Sequence, residues 1–526
     1  LFSLESKRPL KEFDIIGFSI GYELTYTNVL NMLDLAGIPV AASERGDSYP
    51  LIIAGGSCAL NPEPMADFID LFVLGEGEEV LLELIELFRR WKREGGGRQE
   101  LLRKAALIPG IYVPSLYRVD YRDDYTLAAV VPLVPEASPT IKRRTLSKLP
   151  PPLTGPIVPY IEVIHDRGVA EIQRGCTRAC RFCQAGTIYR PLRQRPKDEV
   201  LRAVDEILRN CGYSEVSLLS LSASDYEGIE ELVQTLIQRY KSNNIAFSLP
   251  SLRIEELSLR LMELTHPRKK SGLTLAPESG SERLRRAINK SIPEEELLRT
   301  MEFAFKRGWM SPKLYFMIGL PTETSEDVDS ITELIRKTNL LGKEVAGRQP
   351  QLKVSVSAFV PKAHTPFQWV AQNSEEELSA KLDSLRHSLR KRAQFSWQDP
   401  RMSLLEGVLA RGDRRLGGAI CRAWKLGAGF DAWSEHFNYQ RWLRAFKESG
   451  LDPGFYANRV RPLDEVLPWS HIDVGVSQAY LKREYLRTMK EQETEDCRVG
   501  KCNACGMEKW DPECERRYKE LLPKNE

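Results

Sequence analysis

The sequence predicts an α/β protein: an N-terminal parallel-sheet unit, a partial (β/α)6 barrel and a mainly helical C-terminal region. Apolar strand segments alternate with amphipathic helical segments through residues 1–375, a rhythm typical of parallel sheets. The chain has 526 residues, of which 42% are hydrophobic and 28% charged, so it can build several cores. The net charge of +2 argues against a protein that coats a polyanion.

Residues 1–135 are predicted to form the first unit, with strands at 14–20, 50–56 and 70–78 and helices at 26–35 and 79–91. The second of these strands ends in a pair of glycines, at positions 55 and 56. The chain does not begin with methionine, and we expect this unit to lack at least one strand and one helix. Residues 136–160 are rich in proline and are predicted to be a linker.

Residues 161–375 are predicted to form the barrel, and residues 376–526 a helical domain that starts with an amphipathic stretch at 375–393. In such barrels, functional side chains lie at the C-terminal ends of the strands. The predicted barrel strands are 170–173, 215–220, 246–249, 271–275, 313–318 and 353–359, and the helices between them include 197–210, 228–240 and 293–306.

Three cysteines follow the first barrel strand directly. Cys176, Cys180 and Cys183 have the spacing C-x3-C-x2-C. Thiolates are the ligands of iron–sulfur clusters, and three thiolates on a four-iron cubane leave one iron open to a small molecule. A zinc site would need a fourth ligand, and no further Cys or His lies close by in the sequence. The neighbouring arginines that we expect to support a negatively charged cluster are Arg174, Arg178 and Arg181.

This spacing after the first strand of a β/α barrel resembles the radical SAM superfamily. In that superfamily the open iron holds the amino and carboxylate groups of S-adenosylmethionine (SAM), and electron transfer from the cluster generates a hydrogen-abstracting 5′-deoxyadenosyl radical. The resemblance implies that the three cysteines bind a [4Fe–4S] cluster. Among the residues at later strand ends, Arg253 is a candidate for the methionine carboxylate, and Ser222 and Glu278 are candidates for the ribose hydroxyls. Each of the three is equally compatible with a turn cap or a solvated charge.

The first unit, joined to such a barrel, resembles a truncated Rossmann-like domain of the cobalamin-binding type. The chain as a whole resembles B12-binding-domain radical SAM proteins of unassigned substrate, most clearly at 22–28 and 468–476. The resemblance implies that Ser19, Gly55 and Gly56 face cobalamin, although tight turns also explain glycines after strands. The first histidine of the chain is His165, so no cobalt-ligating histidine can be named.

A second set of cysteines lies near the C-terminus. Cys497, Cys502, Cys505 and Cys514 have the spacing C-x4-C-x2-C-x8-C, which indicates a closed metal site. A structural zinc would hold a polar tail that has little core. An auxiliary [4Fe–4S] cluster would relay electrons or hold substrate. His471 is predicted to be a packed residue more readily than a metal ligand.

These features predict a radical SAM enzyme that abstracts hydrogen from an unidentified substrate, with cobalamin-dependent methylation if cobalamin binds. The alternatives are methylthiolation or sulfur insertion on RNA or protein, with the C-terminal cluster as sulfur donor, and a non-catalytic iron–sulfur or electron-transfer protein. We expect an electron donor such as flavodoxin or ferredoxin as a partner.

Three basic segments, at 142–144, 190–197 and 268–270, are either an RNA-binding surface or solvated charge. The chain contains no apolar run of about 18 residues, so no membrane partner is expected. It shows no export signal, and together with oxygen-sensitive clusters this predicts a cytoplasmic location.

Overall fold

The computed structural model describes residues 1–161, 163–254, 256–265 and 273–521. It divides into two compact units that do not follow chain order. The first unit consists of Leu1–Leu146, Val360–Glu375 and Asp399–Lys482, and the second of Ser147–Phe359, Glu376–Gln398 and Arg483–Glu526. Segments from the C-terminal third of the chain therefore occur in both units.

The strands of the described residues fall into six sheets, of which three are parallel, one is mixed and two are antiparallel. In chain order they are β1 (Ile15–Ser19), β2 (Leu51–Gly55), β3 (Leu71–Val73), β4 (Ile111–Tyr112), β5 (Tyr117–Tyr121), β6 (Leu127–Pro132), β7 (Ile141–Lys142), β8 (Gly168–Glu171), β9 (Gln173–Arg174), β10 (Arg193–Gln194), β11 (Glu215–Leu219), β12 (Ala246–Ser248), β13 (Thr274–Glu278), β14 (Lys313–Ile318), β15 (Lys353–Ala358), β16 (Gln394–Trp397) and β17 (Ile472–Asp473).

The helices mostly alternate with the strands as far as β16, and further helices follow. In chain order they are α1 (Tyr26–Leu35), α2 (Gly77–Glu94), α3 (Arg98–Ala106), α4 (Ala185–Ile188), α5 (Lys197–Cys211), α6 (Ile229–Arg239), α7 (Glu256–Thr265), α8 (Glu282–Ala287), α9 (Glu294–Lys306), α10 (Ser325–Ala346), α11 (Glu375–Leu389), α12 (Pro400–Ala410), α13 (Leu416–Lys425), α14 (Tyr439–Glu448), α15 (Pro453–Ala457), α16 (Gln478–Met489) and α17 (Pro512–Lys519).

The first unit is built on a sheet with the order β1-β2-β3-β4. β1, β2 and β3 run parallel, and β4 joins the edge antiparallel to β3. β2 and β3 are continuous apolar runs because both of their faces are buried, as in other parallel sheets. A hairpin of β5 and β6 and a short parallel pair of β7 with β17 complete the strands of this unit.

The second unit contains two parallel sheets, β12-β11-β8 and β13-β14-β15-β16. Their strands follow one another in chain order with helices between them, which is the topology of a partial barrel. The two sheets have separate apolar cores, one around Val216 and Leu218 and the other around Leu314 and Phe316. α10 begins with a capping box between Thr324 and Asp327.

The predicted fold class is confirmed: the main sheets are parallel or largely parallel, the barrel is partial, and helices dominate the later part of the chain. The start of the predicted strand 271–275 lies outside the described residues, and the observed strand there is β13. β16 was not predicted, and it extends the second barrel sheet by one strand. Within the described ranges, no helix combines the length and apolar composition that a bilayer-spanning segment requires.

Candidate functional site

The three cysteines of the first set lie in one loop of the second unit, residues 175–190, which we call the cluster loop. β9 and β10 form an antiparallel neck at the base of this loop. Gly175 has a φ of +93°, and a Cβ at this position would lie 2.4 Å from the carbonyl oxygen of Pro191. Only glycine fits this close approach, so the loop leaves the barrel strand in a defined direction.

The thiols of the cluster loop are half-buried and chemically suited to iron. The backbone N–H of Gly186 donates to the Sγ atom of Cys183 at 3.3 Å, a contact that favours a thiolate. Burial raises the pKa of the Cys176 thiol and raises that of Cys183 to about 12, so a metal must displace their protons. Among the described residues, no three His, Cys, Asp or Glu side chains are arranged to enclose a metal ion, so ligation at either cysteine set requires the thiols to turn.

The three arginines expected to support the cluster, Arg174 in β9 and Arg178 and Arg181 in the cluster loop, are each paired with a carboxylate. Arg174 pairs with Glu171, with Nε to Oε1 at 2.8 Å. Arg178 donates to Asp225, with Nε to Oδ2 at 2.9 Å. Arg181 is fully buried, and its Nε donates to Glu484 at 3.1 Å. Each of these charges is balanced by a carboxylate, and their support of a negatively charged cluster stays a prediction.

Buried hydroxyl groups line the ends of the strands that follow the cluster loop. Among the described residues, the hydroxyls of Ser220, Ser224 and Ser248 and the Oε1 atom of Gln173 have no hydrogen-bond partner. The Nε2 atom of Gln173 donates to the carbonyl of Ser222 at 3.0 Å. Buried polar groups without partners are costly and mark a place where a polar ligand or water binds. This edge fits a polar ligand such as SAM.

The three predicted SAM residues follow consecutive barrel strands. Ser222 is buried beside Asp225 and contributes to the lowered pKa of that carboxyl. Glu278 ends β13 with a φ of +69°, and its Oε1 atom lies 2.6 Å from the Nζ of Lys290. Arg253 is half-buried and makes no ion pair within the part of the chain that the structure describes.

The predicted cobalamin residues share the C-terminal edge of the first unit's sheet. Ser19 and Gly56 are exposed and Gly55 is half-buried. Gly56 has a φ of +98°, and a Cβ there would lie 2.6 Å from the carbonyl oxygen of Ile20. The neighbouring backbone therefore requires glycine at position 56, and this glycine does not by itself indicate a bound corrin.

The two family-like stretches at 22–28 and 468–476 form buried polar contacts inside the first unit. The Nζ of Lys362 lies 2.7 Å from Glu23 and 2.8 Å from Glu406, and the hydroxyl of Tyr22 donates to Glu406 at 3.0 Å. The ring of His471 packs 4.9 Å from that of Tyr112, and burial lowers its pKa to about 4. His471 is thus a packed, neutral residue in this arrangement.

The four C-terminal cysteines lie in residues 491–519 of the second unit, which we call the thiol segment. All four thiols are half-buried. The backbone N–H of Ala504 donates to the Sγ atom of Cys502 at 3.5 Å, and the N–H of Cys514 is capped by Asp511 at 2.9 Å. Burial raises the pKa of Cys497 and Cys514, and the neighbouring Cys505 thiol raises both further.

The thiol segment is bound directly to the cluster loop by four charged residues. Arg178 contacts Asp496, with Nε to Oδ2 at 3.2 Å, as well as Asp225. Arg498 contacts both carboxylates, with Nη2 at 3.0 Å from Asp225 and 2.6 Å from Asp496. Burial alone would raise the pKa of Asp225, but hydrogen bonds from Arg178 and Ser222 and the charge of Arg498 outweigh it and lower this pKa. The network therefore carries two positive and two negative charges.

Asn289 adds a second link that sequence reasoning missed. Its Nδ2 atom faces the carbonyl oxygens of Arg178, Ala179 and Thr494 at 3.0, 3.2 and 3.1 Å, and its Oδ1 atom accepts from the N–H of Thr494 at 2.7 Å. Its φ of +55° is a left-handed conformation that asparagine tolerates. Nothing in the local sequence identifies these partners, which lie more than a hundred residues away.

Four arginines of the first two basic segments are buried. Arg190, Arg193 and Arg195 are buried, and Arg143 is buried with its Nε donating to the carbonyl of Val474 at 2.8 Å. The segment 268–270 lies outside the described residues. These four arginines are therefore not solvated charges on an outer surface, and RNA binding by the remaining residues of the segments stays a prediction.

Two family models and several known proteins match this chain. Residues 1–114 match the family description "Radical SAM proteins, N-terminal", and residues 170–335 match "Radical SAM superfamily". The protein is a radical SAM enzyme, a class that uses a [4Fe–4S] cluster and SAM. Uncharacterized protein MJ0966 of Methanocaldococcus jannaschii is 30% identical over 423 residues, which are 79% of this chain and 82% of that protein. The chain belongs to the family of this archaeal protein.

More distant similarities are shorter or limited to the fold. A tRNA-2-methylthio-N(6)-dimethylallyladenosine synthase of Wolbachia sp. subsp. Brugia malayi (strain TRS) is 26% identical over 178 residues, 32% of this chain and 39% of that protein. The radical SAM methyltransferase TsrM from Kitasatospora setae, solved with cobalamin and a [4Fe–4S] cluster, is 14% identical with a TM-score of 0.42 over 67% of this chain and 63% of TsrM. The cobalamin-dependent radical enzyme OxsB is 12% identical with a TM-score of 0.41 over 83% of this chain and 62% of OxsB.

Proposed function

We propose that Cys176, Cys180 and Cys183 hold the [4Fe–4S] cluster of this radical SAM enzyme and that SAM binds at the adjacent strand ends. One observation carries the proposal: three thiols occupy one loop, and the ends of the strands that follow it carry buried hydroxyls without a hydrogen-bond partner among the described residues. When bound, the cluster supplies the electron that cleaves SAM to methionine and a 5′-deoxyadenosyl radical, which abstracts hydrogen from the substrate.

The protein's own residues position this chemistry. The N–H of Gly186 stabilises the Cys183 thiolate, and the buried Arg181 anchors the loop through the carbonyl of Ala287 at 2.7 Å. Arg253 presents a guanidinium without an ion pair among the described residues, which suits a bidentate contact with the SAM carboxylate. Ser222 and Glu278, at their own strand ends, are proposed to contact the ribose hydroxyls.

The test is formation of 5′-deoxyadenosine by the anaerobically reconstituted chain with dithionite and SAM, measured by chromatography. We expect product from the wild type and none from Cys180→Ala. Cys211→Ala, which removes a half-buried cysteine outside both sets, is the matched control and keeps the activity. Absence of 5′-deoxyadenosine from iron-loaded wild type would contradict the proposal.

A second candidate is methylthiolation or sulfur insertion on RNA or protein. Two observations favour it: the tRNA methylthiolating enzyme among the relatives, and the attachment of the thiol segment to the cluster loop. This reaction consumes cluster sulfide, whereas hydrogen abstraction alone does not. Acid-labile sulfide per chain before and after turnover separates the two, since only sulfur insertion lowers it.

Cobalamin binding at Ser19, Gly55 and Gly56 stays a prediction. The edge that these residues share is partly exposed. Glycine is required at position 56 by the close backbone of Ile20, with or without a cofactor, so no catalytic step is assigned to cobalamin. Reconstitution with hydroxocobalamin followed by gel filtration and absorption spectroscopy tests it. A methylating enzyme would also form S-adenosylhomocysteine from a second SAM.

A further inference from the structure

We propose that Cys497, Cys502, Cys505 and Cys514 hold a closed iron–sulfur cluster that passes electrons to the cluster loop, to which the network of Arg178, Asp225, Asp496 and Arg498 attaches it. This inference rests on the proposed function of the first site and specifies the role of the second. A donor set of four thiols fills every ligand position of a [2Fe–2S] or [4Fe–4S] cluster, so no iron remains open for substrate.

The backbone of the thiol segment resembles that of the cluster loop in two respects. An alanine with a left-handed backbone precedes a cysteine in each: Ala179, with a φ of +56°, precedes Cys180, and Ala504, with a φ of +46°, precedes Cys505. A backbone N–H also donates to a cysteine sulfur in each, at 3.3 Å to Cys183 and at 3.5 Å to Cys502. A strained alanine persists only where the surroundings hold it, so the backbone of both loops is held in a defined conformation, and ligation requires only the thiol side chains to turn.

The thiol segment does not need a metal to hold it in place. Arg181 donates to the carbonyl of Gln492 at 2.7 Å and to the hydroxyl of Thr494 at 3.2 Å, and Asn289 binds the backbone of Thr494 on both sides. These contacts already fix the start of the segment, which weakens the case for a purely structural zinc. They also bring its first thiol next to the loop that would receive electrons.

The position of Cys497 carries the electron-transfer assignment. Its two sequence neighbours, Asp496 and Arg498, both belong to the charge network, whose other cation, Arg178, lies between Cys176 and Cys180. The path from Cys497 to the first set therefore runs through one residue step to Asp496, one ion pair to Arg178 and two residue steps to Cys176 or Cys180. An electron relay requires the two sets to be attached to one another, and this network attaches them.

The electron count of the relay is simple. A reduced one-electron donor protein of the flavodoxin or ferredoxin class gives one electron to the thiol segment, which passes it on to the cluster loop. There it breaks one C–S bond of SAM and yields methionine and the 5′-deoxyadenosyl radical. No proton moves in the relay, and the donor leaves oxidised by one electron.

The experiment compares wild type with Cys502→Ser/Cys505→Ser, both reconstituted as full chains with iron and sulfide. Wild type is expected to hold about six to eight irons, and the double variant about four. Low-temperature EPR of the reduced wild type should show two paramagnetic clusters and that of the variant one. Zinc in wild type with about four irons and a single EPR signal would overturn the iron–sulfur assignment.

The relay itself is tested by the ratio of 5′-deoxyadenosine formation driven by reduced flavodoxin to that driven by dithionite. We expect this ratio to fall at least about tenfold in the double variant, and to stay unchanged in Cys421→Ser, a cysteine in α13 outside both sets. An unchanged ratio in the double variant would overturn the relay. Asp496→Asn, which leaves all four thiols in place, should keep the iron content but lower the same ratio.

Failure of the proposed function is distinguishable from failure of this inference. Wild type that forms no 5′-deoxyadenosine with either reductant contradicts the proposed function, while its iron count and EPR spectrum still decide the nature of the second site. Wild type that forms product with both reductants and carries zinc in the thiol segment retains the proposed function and overturns the relay.

Discussion

Replacing Asn289 by aspartate tests how firmly the thiol segment is held against the cluster loop. Aspartate has the same shape and also tolerates a φ of +55°, so the substitution changes only the Nδ2 donor. This donor faces the carbonyls of Arg178, Ala179 and Thr494 at 3.0, 3.2 and 3.1 Å in a site where Asn289 is 7% exposed. The new carboxylate would place an acceptor against three acceptors.

The energetic cost follows from these contacts. Two lost donor hydrogens contribute about 1 kcal/mol each, and the unsatisfied buried oxygens add about 1–3 kcal/mol. The total is at least about 3 kcal/mol, which raises the equilibrium constant for local opening by at least on the order of a hundredfold. Protonation of the new carboxyl would restore one donor, so the effect should be smaller at low pH.

Hydrogen–deuterium exchange with mass spectrometry measures this opening directly. Peptides covering residues 491–506 should exchange on the order of a hundredfold faster in Asn289→Asp, and peptides of the first unit should not change. Asn289→Gly is the control, because it keeps the backbone conformation and removes the side chain without adding a charge; we expect an intermediate effect. Equal protection of 491–506 in wild type and Asn289→Asp would refute the assigned role of Asn289.

Two further predictions concern the first unit. Gly56→Ala should lower its free energy of unfolding by about 2–4 kcal/mol, because the new Cβ would meet the carbonyl of Ile20; Gly37→Ala, whose Cβ meets no atom within 4 Å, should cost only about 1–2 kcal/mol. Equal losses in urea titrations would contradict this. Burial lowers the pKa of His364 and His471 to about 4 from 6.5, so the unfolded chain binds more protons and stability is lost as pH falls from 6.5 to 4. The loss is about 3 kcal/mol per histidine, and a urea midpoint that stays constant over this range would contradict it.

The α/β rhythm could be predicted because local pattern determines it. The helix predicted at 26–35 is α1, and the strand predicted at 313–318 is β14, both without a shift at either end. β16 was missed because it has only four residues and follows a long helix, so its two alternating aromatic residues gave too short a pattern. β4 was missed for the same reason, since it has two residues.

The candidate site was predictable only where its residues are adjacent in sequence. The spacing of Cys176, Cys180 and Cys183 identifies the cluster loop directly. The partners of Arg178 and Arg181 could not be identified, because Asp225 and Glu484 come from distant parts of the chain. The sequence around a carboxylate does not show which arginine it will pair with. The same limit applies to the attachment of the thiol segment to the cluster loop, because ion pairs between residues far apart in the sequence make it.

The central claim is that Cys176, Cys180 and Cys183 hold a cluster with an open iron that binds SAM. EPR of the dithionite-reduced protein with and without SAM tests it most directly. In wild type, addition of SAM should change the signal of one reduced cluster. In the Cys176→Ala/Cys180→Ala/Cys183→Ala variant that signal should be absent, and no remaining signal should respond to SAM. A signal in the triple variant that still shifts with SAM, or a wild-type spectrum that SAM leaves unchanged, would contradict the account.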